Sequence, residues 1–228
     1  MNITLTINGN KHDLDCHPSE TLLAAVRRHG YYGVKFGDEH GLSGADTVLL
    51  DGKPVNAGSM LAAQAEGHFI VTIEGLGEHP EQGWRKTEGL HPLQQAFVES
   101  GAIQCGYCTP AQILAAKALL DRNPNPSEDE VREAIAGVLC RCTGYLKPVQ
   151  AVMKAAAVMR GEGQLSVGSD QLPIEPVPPS DKQPMTDDWS LIATKTTPKI
   201  ILVPESQTYQ TVGKPEKKVD AVKLVQGK

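Results

Sequence analysis

Two short cysteine-containing stretches decide how this chain folds: QCGYCTP at residues 104–110 and CRCTGY at residues 140–145. Together they place four of the five cysteines in the pattern C-x2-C-x31-C-x-C. Thiolates are soft, anionic ligands that suit zinc or iron–sulfur clusters. An odd number of cysteines in a chain without a recognisable secretion signal disfavours a disulfide framework. The pattern therefore predicts a metal site on Cys105, Cys108, Cys140 and Cys142.

The local context of both pairs suits bound thiolates. Thr109 is predicted to cap a helix whose first position is Pro110, so the first pair should lie at a helix N-terminus, where negative charge is stabilised. The second pair encloses only Arg141 and precedes a turn. Because zinc sites usually carry about two to four residues inside each pair, the spacing favours an iron–sulfur cluster. Structural zinc and free thiols stay open as alternatives at this point.

The first third of the chain is predicted to form strands and one helix. Alternating or β-branched runs indicate strands at 2–8, 11–15, 47–50 and 69–73, with turns at Gly9-Asn10 and Asp51-Gly52. Residues 21–29 are amphipathic and predict a helix, with Ser19 as N-cap and Gly30 as its end. A mixed sheet with one packed helix is typical of a β-grasp fold. Cys16 is predicted to lie on a strand as a small buried residue.

The pattern becomes helical after a polar, glycine-rich linker at residues 77–90. Helices are predicted at 92–100, 109–122 and 127–137, and a last one at 149–160 opened by Pro148. Ser127 and Glu130 form a capping box for the third of these. The four helices predict a small bundle over residues 91–160. Residues 161–228 hold half of the prolines and are predicted to be an extended connector.

Composition limits the classes of partner. The chain has 228 residues, of which 40% are hydrophobic and 21% charged, as in ordinary soluble domains. A net charge of −5 without a basic run argues against nucleic acid. No apolar run approaches the ~20 residues that cross a bilayer, so no direct membrane insertion is expected. The N-terminus has no signal-peptide pattern, which predicts a cytoplasmic protein.

The two cysteine stretches resemble the iron–sulfur part of the xanthine oxidase family of molybdenum hydroxylases, and the resemblance covers residues 1 to about 160. It implies an α+β chain: a β-grasp ferredoxin-like domain at 1–76, a linker at 77–90, a four-helix bundle at 91–160 that holds one [2Fe–2S] cluster, and a Pro-rich connector at 161–228. By position, Gln104 and Cys142 would touch the pterin of the molybdenum cofactor. Gly106 would let the backbone approach it closely.

The resemblance also implies a function and partners. The chain would pass electrons from a molybdopterin centre through its cluster to an acceptor, and it would carry no catalytic residue of the substrate chemistry. The molybdopterin, of the cytosine dinucleotide type, would be bound by a large subunit or a fused C-terminal module. FAD in another subunit or an external acceptor would take the electrons. The alternative is a non-catalytic scaffold that covers the molybdopterin and whose cluster, or zinc, is structural. The substrate is left open.

The N-terminal domain departs from the family pattern. The residues GVKFG at 33–37 are kept, but the four positions that normally hold cysteine are Asp38, Ser43, Asp46 and Gly58. A four-thiolate cluster cannot assemble on these side chains. The expectation is therefore a retained fold without its ferredoxin cluster. Asp38, His40 and Asp46 either bind another ion or form a solvated polar loop.

The end of the sequence adds a second, shorter resemblance. VGKP at residues 212–215 and DAVKLVQGK at residues 220–228 are similar to the opening of the family's large molybdenum-binding subunit. This likeness implies that the chain is the front part of a fused polypeptide, with the Pro-rich connector between the two modules.

Overall fold

The first part of the chain folds into a mixed five-stranded sheet. A computed structural model describes residues 1–38, 40–76, 89–162 and 219–227. Its strands are β1 (Asn2–Ile7), β2 (Asn10–Asp15), β3 (Thr47–Leu50), β4 (Lys53–Asn56) and β5 (Phe69–Val71), in the order β2-β1-β5-β3-β4. β1 pairs antiparallel with β2 and parallel with β5, and β3 pairs antiparallel with β4 and β5. Helix α1 (Leu22–Arg28) packs on this sheet through a shared apolar core.

Side-chain alternation explains β1 and its hairpin. Ile3, Leu5 and Ile7 are buried, and the residues between them point to the other face of the sheet. The turn to β2 uses two left-handed residues, Asn8 and Gly9, the backbone that a tight hairpin requires. The predicted hairpin is therefore confirmed, with its turn one residue earlier than expected.

Four predictions for this part of the chain were wrong in detail. Thr21, not Ser19, caps α1, because its hydroxyl accepts from the Ala24 amide at 3.2 Å. The turn at Asp51-Gly52 leads into β4, an unpredicted edge strand in which Pro54 is tolerated. β5 ends at Val71, and a 3-10 helix, Ile73–Gly75, follows. Cys16 is buried as predicted but lies just after β2 instead of on a strand.

The second part of the chain is helical. It contains α2 (Pro92–Glu99), α3 (Thr109–Arg122), α4 (Glu128–Ala136) and α5 (Leu146–Met159), and a short helix α6 (Ala221–Val225) packs on α2 and α3. One continuous core joins these helices, with fully buried Leu93, Phe97, Ile113, Leu114 and Ile135 among its members. α2 packs mainly against α5, and α3 against α4. An α+β ferredoxin-like architecture, a mixed sheet followed by several helices, is thus observed.

Helix starts were predicted with uneven success. The capping box of Ser127 and Glu130 is present at α4. α3 begins at Thr109 itself, so Cys108 occupies the N-cap position and no side chain caps the helix. α5 begins at Leu146, two residues before Pro148. A proline fits in this first turn because the amide it lacks would have had no partner inside the helix.

The predicted linker and connector lie mostly outside the described residues. Where the C-terminal end is described, helix α6 replaces the extended chain that was predicted. The described residues all belong to one compact unit. None of the helices in those described ranges has the length and apolar character needed to cross a membrane.

Candidate metal centre

The two cysteine motifs meet where α3 begins and where the chain leaves α4. Cys108 is 8% exposed and packs with Ala111, Ala115 and Val138, and Cys140 lies against this small cluster. Because Ala111 and Ala115 carry only methyl groups, the segment after α4 approaches α3 closely. The site is therefore shaped by small side chains on the first two turns of α3.

The thiols interact across the two motifs as well as within them. The Cys108 thiol interacts with Cys140 and Cys105, and the Cys142 thiol with Cys105 and Cys140. The contacts of Cys108 with Cys140 and of Cys142 with Cys105 each pair a cysteine from the α3 side with one from the segment after α4. All four cysteines are free of disulfides. Cys108 and Cys140 thus meet in one small cluster, and the four thiols of the prediction influence one another's ionisation.

The protein environment acts differently on the individual thiols. Burial, the hydrogen bond with Cys140 and the neighbouring sulfurs together raise the pKa of Cys108 far above its usual range. Burial also opposes ionisation of Cys140, but hydrogen bonds from Thr143 and the Cys142 backbone outweigh it and lower the pKa. At Cys142 a backbone hydrogen bond from Cys105 lowers the pKa, whereas the Cys105 thiol and nearby charges raise it above the ordinary value. Crowded thiols raise one another's pKa in this way unless a cation compensates their charge.

The donor set fits a binuclear cluster. Four soft thiols, two on each side, match the ligand chemistry of [2Fe–2S] centres. Within the described parts of the chain, no three His, Cys, Asp or Glu side chains converge closely enough to hold one metal ion. A binuclear cluster does not need three ligands on one ion, because its four thiolates are shared between two iron atoms.

A short loop orients Cys140. The Tyr145 hydroxyl accepts from the Cys140 amide at 2.7 Å, and the Thr143 hydroxyl lies 3.1 Å from the Cys140 sulfur. Thr143 also accepts from the Tyr145 amide at 3.2 Å. Tyr145 adopts a left-handed backbone with φ of 66°, which is costly for a residue with a Cβ. These hydrogen bonds maintain the unusual backbone and fix the direction of the Cys140 side chain.

The outer side of the site is open. Gln104, Cys105 and Cys142 are exposed, whereas Cys108 is buried. The residues predicted to meet the pterin therefore lie on the accessible side of the cysteine loop. Gly106, also predicted to allow a close approach, is approached by the chain's own Leu224.

The N-terminal positions that lack cysteine carry a polar network instead. The Asp38 carboxylate accepts from the amides of His40, Leu42 and Ser43 at 2.6–3.0 Å. Hydrogen bonds with Ser43 and the Leu42 amide hold the pKa of Asp38 far below its usual range. Asp46 is 1% exposed and accepts from the Gly58 amide at 2.5 Å. The prediction of a solvated loop is thus wrong for Asp46, and no three His, Cys, Asp or Glu side chains come together in the described part of this loop.

This network holds a loop, residues 36–46, that contacts both cysteine motifs. The Ser43 carbonyl accepts from the Leu139 amide at 2.8 Å, next to Cys140. A Cβ on Gly44 would lie 2.0 Å from the Gly137 carbonyl oxygen, so the two segments touch at backbone level. On the other side, the Tyr107 hydroxyl donates to the Phe36 carbonyl. Sequence reasoning missed these contacts because no local pattern reports which loops meet.

A buried carboxylate joins the sheet to the residues that precede this loop. Glu74 is 6% exposed and accepts from the Gly33 amide and the Thr72 hydroxyl, each at 2.6 Å. Asn8 completes the network by donating to the Thr72 hydroxyl at 2.8 Å. Burial raises the pKa of Glu74, although these hydrogen bonds oppose the shift. Sequence reasoning assigned no role to Glu74, because its burial depends on contacts far apart in the chain.

Comparison with known proteins agrees with this geometry. A protein-family model described as a [2Fe-2S] binding domain matches residues 72–153. The nicotinate dehydrogenase small FeS subunit of Eubacterium barkeri is 44% identical over 156 residues, which are 68% of this chain and 94% of that protein. Aldehyde oxidoreductase from Desulfovibrio gigas superposes with a TM-score of 0.65 at 42% identity, over 72% of this chain and 18% of that longer one. Quinoline 2-oxidoreductase from Pseudomonas putida 86 gives a TM-score of 0.63 at 41% identity, over 72% of this chain and 98% of the matched chain.

Fold, thiol set and comparisons define a [2Fe–2S] protein. The chain belongs to the iron–sulfur subunits of the xanthine oxidase family of molybdenum hydroxylases. It is the electron-transfer component of a molybdenum oxidoreductase and works together with other subunits that include the molybdenum cofactor. The zinc and free-thiol alternatives are thereby set aside.

Proposed function

We propose that this chain relays electrons through one [2Fe–2S] cluster, bound by Cys105, Cys108, Cys140 and Cys142. The observation that carries the proposal is the contact of Cys108 with Cys140 across the two motifs, within the stretch that matches a [2Fe-2S] binding domain. At the ferredoxin positions, by contrast, carboxylates, a hydroxyl and a glycine stand in place of thiols. The cluster is accordingly the chain's whole redox capacity.

The chain's own side chains determine how the cluster is held. When bound, a [2Fe–2S] cluster supplies a site that accepts and releases one electron at a time. Cys108 acts as the buried ligand and Cys140 as a half-buried one, while Cys105 and Cys142 face the exposed side. The Thr143 hydroxyl donates to the Cys140 thiolate and withdraws charge from it. Ala111, Ala115 and Val138 exclude water from the inner edge.

The exposed side of the site is where we place the molybdenum cofactor. Gln104 and Cys142 are accessible there, and Gln104 offers both a donor and an acceptor to a polar pterin edge. The cofactor would be molybdopterin of the cytosine dinucleotide type, held by a large subunit or a fused module. Electrons would thus enter at the Cys105 and Cys142 side.

The next carrier must lie outside the thiol-free N-terminal loop. In this proposal residues 1–76 form the ferredoxin-like domain without a cluster, residues 91–160 a four-helix bundle and residues 77–90 the linker. Residues 161–228 are the connector, of which the described end is helix α6. We propose that FAD in another subunit, or an external acceptor, takes electrons directly from the helical cluster. The substrate class, whether N-heterocycle, purine or aldehyde, is determined by the molybdenum module.

A cysteine-to-serine exchange tests this function in the assembled complex. Cys105→Ser removes one thiolate, so electron flow from substrate to acceptor should stop and visible absorption should fall. Cys16→Ser is the matched control, because Cys16 is buried among apolar residues of the sheet domain. Stopped-flow spectroscopy would follow cluster reduction by substrate. A Cys105→Ser complex that still turns over with the external acceptor would favour the alternative, a scaffold with a structural cluster.

A further inference from the structure

The C-terminal segment, residues 219–227, packs against the cysteine loop of the same chain. Its helix α6 buries Ala221 and Val225 in the core formed by the other helices. Val222 lies on the same helix but is 45% exposed. The segment therefore has a distinct inner and outer face, as an amphipathic helix in a fitted groove does.

Gln94 on α2 anchors this segment. Its side-chain amide donates to the Val225 carbonyl at 2.8 Å, and the oxygen of the same amide accepts from His91 at 2.9 Å. Gln94 is fully buried, so both ends of its amide must be satisfied inside the protein. Without the segment, the donor end would lose the hydrogen bond that it makes to Val225.

Two glycines give the segment its close fit. A Cβ on Gly106 would lie 2.5 Å from a methyl carbon of Leu224, so this side chain covers the backbone between Cys105 and Cys108. At the other end, a Cβ on Gly227 would lie 2.9 Å from the Cα of Gly33. The segment thus bridges the cysteine loop and the residues next to the buried Glu74.

We propose that residues 219–227 are a built-in cover of the cluster and that Leu224 is a positioning residue for the Cys105–Cys108 loop. The Leu224 side chain fills the space above Gly106, limits the conformations of that loop and keeps water from its inner face. This role rests on the proposed ligand set, because Leu224 acts on the ligands and touches no reacting atom. Loss of such support loosens a metal site even though every ligand is retained.

The test compares two substitutions on the two faces of α6, in the full chain with its cluster. Leu224→Asp places a carboxylate against Gly106, whereas Val222→Asp places it in solvent as the matched control. With EDTA, the visible absorption of the Leu224→Asp protein should bleach about tenfold faster than that of the unchanged chain. The Val222→Asp protein should bleach at the unchanged rate. Leu224→Ala, a milder change, should give an intermediate rate.

Hydrogen exchange of the backbone amides distinguishes local support of the Cys105–Cys108 loop from a general loss of stability. The amides of residues 104–108 should exchange faster in Leu224→Ala, while those of α4 and α5 keep their protection. Equal bleaching rates and equal exchange in the Leu224 and Val222 variants would contradict the proposal that residues 219–227 cover the cluster. Failure of the proposed ligand set is distinguishable, because the unchanged chain would then contain no iron. Failure of the proposed relay is distinguishable as well, because substrate would then leave the cluster of the unchanged chain oxidised.

Discussion

At the scale of single residues, binding of the cluster depends on how each cysteine is held. The sequence pattern predicted all four thiols as ligands, because the spacing within each pair is short and specific. It did not identify Thr143 or Tyr145 as their supports. These two residues follow Cys140 closely in sequence, but their hydrogen bonds to it depend on the left-handed turn at Gly144 and Tyr145. Backbone geometry of this kind is not visible as a residue pattern.

The Tyr145 hydroxyl should contribute measurably to stability. In Tyr145→Phe the partly buried Cys140 amide loses its acceptor, and the free energy of unfolding should fall by about 1–2 kcal/mol. Chemical denaturation of the cluster-loaded chain measures this change. Tyr32→Phe is the control, since Tyr32 is exposed and the ring that faces Arg27 is retained. An equal stability of the two variants would contradict the proposed role of the hydroxyl.

At the scale of elements, the loop at residues 36–46 supports the cysteine motifs. Its position was not predictable, because the contacts that fix it join residues distant in the chain, Ser43 with Leu139 and Asp46 with Gly58. The strands and helices themselves were mostly predicted, since alternation and capping are local signals. Their ends shifted where tertiary contacts decide them, as at β5, and edge strand β4 was missed because Lys53, Pro54 and Asn56 have low strand propensity.

Gly44 tests the contact between this loop and the segment before Cys140. A left-handed alanine costs about 1–2 kcal/mol at either Gly44 or Gly52. Only at Gly44 would the new methyl group also meet the Gly137 carbonyl, whereas Gly52 faces open space. Gly44→Ala should therefore lower the unfolding free energy by roughly 1 kcal/mol more than Gly52→Ala. Thermal or urea unfolding of both variants measures the difference, and equal losses would mean that the loop does not rest on Gly137.

The buried Glu74 makes stability depend on pH. Burial raises its folded-state pKa above the ordinary value of 4.5, so the folded chain holds this proton more tightly than the unfolded chain. Stability associated with Glu74 is therefore complete below about pH 4.5 and is lost as the pH rises through the folded-state pKa. Glu74→Gln keeps an acceptor for Gly33 and stays neutral. Its stability relative to the unchanged chain should rise with pH above about 4.5.

Urea unfolding at a series of pH values measures this dependence. Glu66→Gln, at an exposed glutamate, is the control and should leave the pH profile of the unchanged chain as it is. If the Glu74→Gln and unchanged profiles run parallel across the range, Glu74 does not change its protonation on folding in the way proposed.

At the scale of the whole molecule, we propose that the chain holds one cluster. At the N-terminal positions where the family normally holds a second one, polar side chains accept hydrogen bonds from the backbone. Membership in the family was predictable from the two cysteine motifs, and the fold followed from it. The packing of residues 219–227 on α2 and on the Gly106 loop was not predictable, because these contacts join residues more than a hundred positions apart. The sheet forms with aspartate at positions 38 and 46, since its core consists of apolar side chains.

The most direct test is the iron and acid-labile sulfide content of the purified chain, combined with an EPR spectrum after dithionite reduction. We expect about two iron atoms and about two sulfides per chain, with a single reduced-cluster signal. About four iron atoms per chain and two distinct signals would contradict this expectation, because a second cluster would then have assembled without the missing thiols.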